Sequence, residues 1–251
     1  MATDAIVIEP AGEWVAAFEV QQRFLQHSGP GIDSLDYSGR CRQMGEVGGD
    51  FYNFVTLPGN RLAVAIGDAS GKGFAAALMI SNVQSSLRTA TLFAGSNLAM
   101  ALQAVNRQVY GSSLASRYAT LFYGVVDEAT RTLHYVNAGH NPPMVIRPDG
   151  SIIWLTTGGA PVGLFPDSIY EEGSVQLGSG DLILAYTDGV VESLNPSHGE
   201  WGTEGLRIAA TESDTESTDD MVEAIMQSMD QFSHAYQTDD ATVAVIRVNQ
   251  G

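Results

Sequence analysis

Charge is scarce in this 251-residue sequence, and positive charge scarcest of all. Charged residues make up 16% of the chain, and 12 Lys and Arg stand against 29 Asp and Glu, a formal net charge of −17. Globular chains usually carry about 25% charged residues. No basic stripe is present, and a field of this sign repels nucleic acid and anionic membranes, so neither is expected as a partner. A single cysteine, Cys41, excludes an internal disulfide framework and fits a reducing compartment. Apolar runs are short: Ala75–Ile80, one of the longest, is far too brief to span a bilayer. The opening MATDAIVIEP lacks the basic and long apolar regions of a secretory signal. A soluble, cytoplasmic protein is expected.

What the chain does hold is apolar substance (44%) and 27 glycines, the composition of buried strands joined by tight turns. The length suits one domain with one sizeable core. We expect a short extension over residues 1–11 and a single domain over 12–248. An amphipathic helix is read from Glu13 to His27, with Trp14, Phe18, Phe24 and Leu25 near helical spacing. Strands follow at Leu35–Cys41, Asp50–Leu57 and Arg61–Asp68, the last two joined across Pro58-Gly59-Asn60 as a hairpin. Helices are expected over 74–93 and 96–110, then strands at 117–126, 132–138, 144–147, 152–155, 169–177 and 181–187. The polar, acidic stretch 211–220 reads as a loop feeding carboxylates to the N-terminus of a helix at 219–234, where the helix dipole favours them. A strand at 241–248 closes the chain. This order lacks strict βαβ alternation, which argues against a doubly wound parallel sheet. Leu62–Ile66 (LAVAI) and Leu182–Tyr186 (LILAY) are continuously apolar, so both faces of these strands must be covered. The expected fold is α+β: a four-layer α-β-β-α sandwich, two central antiparallel sheets flanked by helices.

Both apolar strands run into an aspartate, Asp68 in LAVAIGDASG and Asp188 in LILAYTDGV. Asp50 after Gly48-Gly49, and Asp239 in Thr238-Asp239-Asp240, have the same setting of small or polar turn residues beside a strand. Carboxylates at buried strand tips are partly desolvated, and several together repel unless neutralised. Mg²⁺ and Mn²⁺ neutralise such oxygens, and would also invert the field for an anionic substrate. The chain has 16 aspartates, however, and an Asp beside a Gly is commonly a turn former or a helix cap. Position alone leaves both readings open. GDASGKG between a strand and a helix is not a phosphate-binding P-loop: its spacing from Gly67 is one residue short, and Gly73 replaces the required Ser or Thr. Lys72 is then a solvated loop residue or a phosphate contact.

Seven segments in order, VGGDFYNF (47–54), IGDASGKGFAAALM (66–79), YATLFYGVVD (118–127), YVNAGHNPP (135–143), GGAPVGL (158–164), LAYTDGVVES (184–193) and DDATVAVIR (239–247), resemble the SpoIIE-like branch of the metal-dependent PPM (type 2C-like) Ser/Thr protein phosphatases. The resemblance covers roughly residues 13–248 and implies the same layered fold, with the metal site at one end. It implies two Mn²⁺ or Mg²⁺ ions held by Asp50, Asp68, the carbonyl of Ala69, Asp188 and Asp239, with Asp68 bridging both and Asp240 as a hydrogen-bonding turn residue. These aspartates would be ligands that make no covalent bond to phosphorus, while water activated by the metals attacks it. Cys41 has no CxxxxxR loop around it and is not a nucleophile.

The resemblance further implies a phosphorylated protein substrate, a STAS-domain anti-anti-sigma factor in a partner-switching pathway of sigma factor regulation. It also implies a possible activating partner acting on the 73–93 helix. Ser70 stands where eukaryotic type 2C enzymes carry a histidine thought to act as general acid, so the leaving group has no obvious side-chain proton donor. Arg40 and Arg42 are the nearest candidates for a phosphate clamp, and His140 is read as a hydrogen-bonded turn residue. The alternative is a catalytically weak or silent phosphatase-fold binding module that needs a partner to form its metal site; the four intact aspartates count against it.

Overall fold

The structure is a computed structural model that describes residues 10–24, 31–93, 97–113, 117–213, 215 and 217–249. Two sheets form its centre. In the first, β2 (Asp50–Leu57), β3 (Arg61–Ala69), β4 (Ala119–Asp127) and β5 (Thr132–Ala138) run antiparallel in that order. At the far edge, β8 (Gly158–Gly159) pairs parallel to β5 and β9 (Gly173–Gln176) pairs antiparallel to it. In the second sheet, β1 (Leu35–Arg42), β11 (Ala241–Val248), β10 (Leu182–Tyr186), β6 (Met144–Ile146) and β7 (Ile152–Trp154) are antiparallel throughout. Helices α2 (Phe74–Phe93) and α3 (Leu98–Ser112) cover the first sheet; α4 (Asp188–Val191), α5 (Gly202–Glu212) and α6 (Thr218–Ser233) cover the second. Among the described residues no helix is long and apolar enough to cross a membrane.

The continuous apolar strands serve two cores at once, because successive side chains leave a strand on opposite faces. Leu62, Val64 and Ile66 of β3 enter the layer between the sheets, while Ala63 and Ala65 meet the helix-covered layer with Ile80, Val83 and Leu102. Likewise Ile183 and Ala185 of β10 face the inner layer, and Leu184 and Tyr186 pack with Val190, Ile225 and Met229 of the helices. Each large apolar side chain buried in these layers contributes about 1.5–3 kcal/mol. The four-layer expectation is met, apart from the short parallel β5–β8 pair.

Several elements differ from the sequence reading. The strand expected over 169–177 shrinks to β9, since Ile169 is exposed and the pairing with β5 begins only at Gly173. Helix α5 falls where no element was read, and it shortens the acidic loop. Ser217 caps α6: its hydroxyl accepts from Asp220 N (3.1 Å) and donates to the Asp220 carboxylate (2.8 Å). The first helix, α1 (Pro10–Phe24), starts three residues earlier than Glu13, with Pro at its first position. Phe18, expected to pack, is exposed. Most of the expected 1–11 extension, Leu25 and the side chains of Trp14 and Phe24 lie outside the described residues.

Candidate metal centre

One end of the sandwich gathers the acidic strand tips from both sheets. In the first sheet Asp50 opens β2 directly opposite Asp68 near the end of β3, and Asp68 in turn faces Thr120 of β4. In the second, Asp188 follows β10 as the first residue of α4, with Thr187 at the cap position. Asp239 and Asp240 lead into β11, the neighbour of β10. The five carboxylates come from four separate stretches of chain, yet three of them, Asp50, Asp68 and Asp188, are raised by burial and by other members of the group. Asp68 is pushed up to about 7 by burial first, then by Asp188, Asp239 and Asp240, while a hydrogen bond from Asp50 acts the other way. Burial and then Asp68 drive Asp50 well above the carboxylate range; burial and then Asp239 raise Asp188.

Asp50 is fully buried and its position is fixed from the opposite sheet. Its Oδ2 accepts from Thr187 Oγ1 and Thr242 Oγ1, both at 2.7 Å, and Thr187 Oγ1 accepts from Thr242 N at 2.9 Å. Asp240 does a different job: its carboxylate accepts from Met44 N (2.7 Å) and Gly49 N (2.8 Å), tying the loop before Asp50 to the start of β11. Small residues let these segments touch. A Cβ on Gly49 would stand 3.2 Å from Asp68 Oδ1 and 3.1 Å from the Ala69 carbonyl.

Asp239 is half-exposed and ion-paired to Lys72 Nζ (2.8 Å), which also donates to Thr238 O (2.9 Å). This places Lys72 at the acidic cluster and off any nucleotide loop. Among the described residues, no three His, Cys, Asp or Glu side chains are set to hold a metal ion as they stand: Asp50 is turned to its threonines and Asp239 to Lys72. The donor set is nonetheless all hard oxygen, mutually repulsive and partly desolvated, and it fits Mg²⁺ or Mn²⁺. A cavity of about 450 Å³ adjoins it, lined among others by Met44, Val47, Lys72 and Asp240.

The remaining candidates fall elsewhere. Arg40 pairs with Glu223 and Arg42 with Asp230, both on α6, so neither guanidinium serves the acidic end. The Ser70 hydroxyl oxygen accepts from Tyr118 N (3.0 Å), and Arg117 donates to the Ser70 carbonyl. His140 is buried, its Nδ1 hydrogen-bonded with Thr120 Oγ1 (2.9 Å); burial lowers it to about 4, against a backbone contact from Tyr186. It braces β4 beside Asp68, in keeping with the structural role expected of it. The Cys41 thiol donates to Asp50 O (3.8 Å), and burial together with Asp50 pushes it far up, away from nucleophilic use. Thr187, Thr242 and the Lys72 pairing escaped sequence reasoning. A threonine between LILAY and Asp188, and the lone hydroxyl in ATVAVI, were the available signals.

The family model described as Stage II sporulation protein E (SpoIIE) matches residues 58–249. The chain belongs to this SpoIIE family. Protein IcfG of Synechocystis sp. is 26% identical over 92% of the chain, which spans 40% of that relative's length. Phosphoserine phosphatase RsbU of Bacillus subtilis is 28% identical over 92% of the chain and 68% of RsbU. The structure of the RsbU and RsbW domains of Rv1364c from Mycobacterium tuberculosis aligns with a TM-score of 0.75 at 26% identity, covering 90% of this chain and 63% of that one. At 17% identity, the catalytic domain of the serine threonine protein phosphatase PstP, in complex with 2 manganese ions, shares the fold (TM-score 0.64, 86% of this chain, 99% of that one). The SpoIIE match and the layered sandwich agree with each other independently of the acidic cluster.

Proposed function

We propose that this chain is a metal-dependent protein phosphatase that hydrolyses phosphoserine or phosphothreonine on a protein partner, with Asp50, Asp68, the Ala69 carbonyl, Asp188 and Asp239 holding two Mn²⁺ or Mg²⁺ ions. The observation that carries the reading is the convergence of these carboxylates from both sheets, each of Asp50, Asp68 and Asp188 raised by burial and by its neighbours. Such a cluster is stable in ionised form only with cationic compensation. What bound divalent ions supply here is Lewis-acid neutralisation of phosphoryl oxygens and a water-derived nucleophile at neutral pH.

The chain's own residues prepare that chemistry. Thr187 and Thr242 aim Asp50, and Asp240 fixes the loop that carries it. The adjoining cavity, with Lys72 at its rim, offers room and a positive charge for a phosphorylated side chain. The relative RsbU is named a phosphoserine phosphatase, which favours a phosphoserine substrate; the protein that carries it is, on the sequence resemblance, a phosphorylated STAS-domain anti-anti-sigma factor in partner-switching signalling.

Hydrolysis of an aryl phosphate and of a phosphorylated STAS protein should require Mn²⁺ and vanish in EDTA. Asp188→Asn should lower turnover by orders of magnitude in a folded protein. Turnover that persists in chelator overturns the proposal. A second reading rests on the Lys72–Asp239 pair: Lys72 lies two residues before α2, so a partner acting on α2 would free Asp239 and complete the site. Weak basal turnover that rises sharply with a partner distinguishes it.

A further inference from the structure

Along α2, Ile80, Val83, Gln84 and Leu87 form one buried stripe. Their spacing is that of the core-facing edge of a helix, where apolar residues belong. Gln84 departs from that pattern: it is 8% exposed, and neither its Nε2 nor its Oε1 has a hydrogen-bond partner. A buried amide without partners keeps its full desolvation cost, so this one weakens the fold it sits in.

The sheet beneath this stripe is hollow. On its inner face β3 carries Leu62, Val64 and Ile66, but on the helix-covered face it carries only Ala63 and Ala65. These small side chains line a cavity of about 290 Å³ between α2 and the edge strand β2, with Gln84 and Tyr123 in its wall and a mainly apolar lining. Protein interiors seldom leave voids larger than a water molecule, and an apolar cavity of about 150 Å³ already suffices to bind benzene. Tyr123 adds a second polar group. Thr91 Oγ1 donates to Leu87 O (2.8 Å), so the Tyr123 hydroxyl is the donor in its own 2.8 Å pair with Thr91, and its oxygen keeps acceptor capacity. The wall therefore offers N–H donors and a carbonyl from Gln84 and an acceptor from Tyr123. A primary amide complements that set, since its carbonyl accepts from Gln84 Nε2 while its N–H groups donate to Gln84 Oε1 and Tyr123 Oη.

We infer that this cavity is a binding site for a small uncharged organic molecule with an apolar body and a carboxamide edge, the amide pairing with Gln84. The site extends along β2 to Leu57 and Pro58 at the β2–β3 turn, the end of the hairpin opposite Asp50 and Asp68. It does not depend on the metal reading given above.

The test uses the full chain in EDTA, with benzamide as the probe and toluene as its counterpart without the amide. In NMR titrations benzamide should shift the signals of Gln84 and Tyr123 and bind about tenfold more tightly than toluene. Gln84→Leu should weaken benzamide about tenfold and leave toluene binding no worse. Ala65→Val, which narrows the cavity from β3, should weaken both probes. Benzamide that leaves Gln84 and Tyr123 unshifted overturns the inference. Equal binding of the two probes by the wild type marks a merely apolar void and overturns it as well, as does benzamide affinity unchanged in Gln84→Leu. If Gln84→Leu does not fold, Ala65→Val decides: benzamide binding unchanged in that variant lies outside the cavity and overturns the inference.

Discussion

Asp68→Asn should make the metal-free protein more stable while removing its response to metal. In the folded chain the Asp68 carboxyl is raised from 3.8 to about 7 by burial and by Asp188, Asp239 and Asp240. Between these values the folded state holds a proton that the unfolded chain releases, so stability falls as pH rises from about 4 to 7. At pH 8 the ionised group costs the fold up to about 4 kcal/mol, and at pH 5 about 2 kcal/mol. Asparagine keeps an acceptor for Asp50 without the charge. Melting in EDTA at pH 8 should therefore rise by roughly 8–16 °C, at about 2–4 °C per kcal/mol for a chain of this size. The gain should shrink by about half at pH 5. Adding Mn²⁺ should raise the melting temperature of the wild type but not of the variant. A variant no more stable than wild type at pH 8, or a gain equal at both pH values, refutes the argument that the cluster is held under mutual repulsion.

Thr187→Val and Thr242→Val each remove one donor to Asp50, leaving a carboxylate that gives up its proton less readily; Mn²⁺ affinity by calorimetry should fall about tenfold for each, and unchanged affinity would mean that the threonines do not hold Asp50. Gly189→Ala places a Cβ against the Asp240 carbonyl and near Asp239, and should destabilise the domain by about 1–3 kcal/mol in urea melts. One of the 5 histidines, His140, should stay neutral at pH 5 by NMR, because its folded value is about 4. Since the unfolded imidazole takes up a proton near 6.5, this residue should also cost stability as pH falls from 6.5 towards 4, and a His140 titration near 6.5 would contradict its burial.

The layers of the fold were legible because LAVAI and LILAY have no polar face, which requires cover on both sides, and the turns at Pro58-Gly59-Asn60 carry their own backbone signal: Gly59 and Asn60 both adopt positive φ. Helix α5 was not legible, as its single buried edge of Leu206 and Ala210 leaves a mixed pattern behind a glycine start. The stretch before β9 misled in the opposite sense, since its alternation points apolar residues such as Ile169 outward. At the site, local setting marked Asp50, Asp68, Asp188 and Asp239 only as turn formers or ligands alike, and it was the resemblance that joined them into one candidate group. Their partners could not be found so. Thr242 meets Asp50 across 192 residues and Thr187 across 137, and no local pattern records such pairings. Arg40 and Arg42 looked available only because their α6 carboxylate partners lie far along the chain.

Those long separations bear on how the protein acquires its competence. The β2–β3 hairpin can present Asp50 and Asp68 early, from contacts close in sequence, but the second half of the acid group arrives only when the last strand inserts between β1 and β10. Closures of this span are the slow part of folding. Refolding followed by bulk secondary structure should therefore run ahead of regained metal uptake, so that the arrival of the C-terminal strand sets the moment at which the molecule can first work.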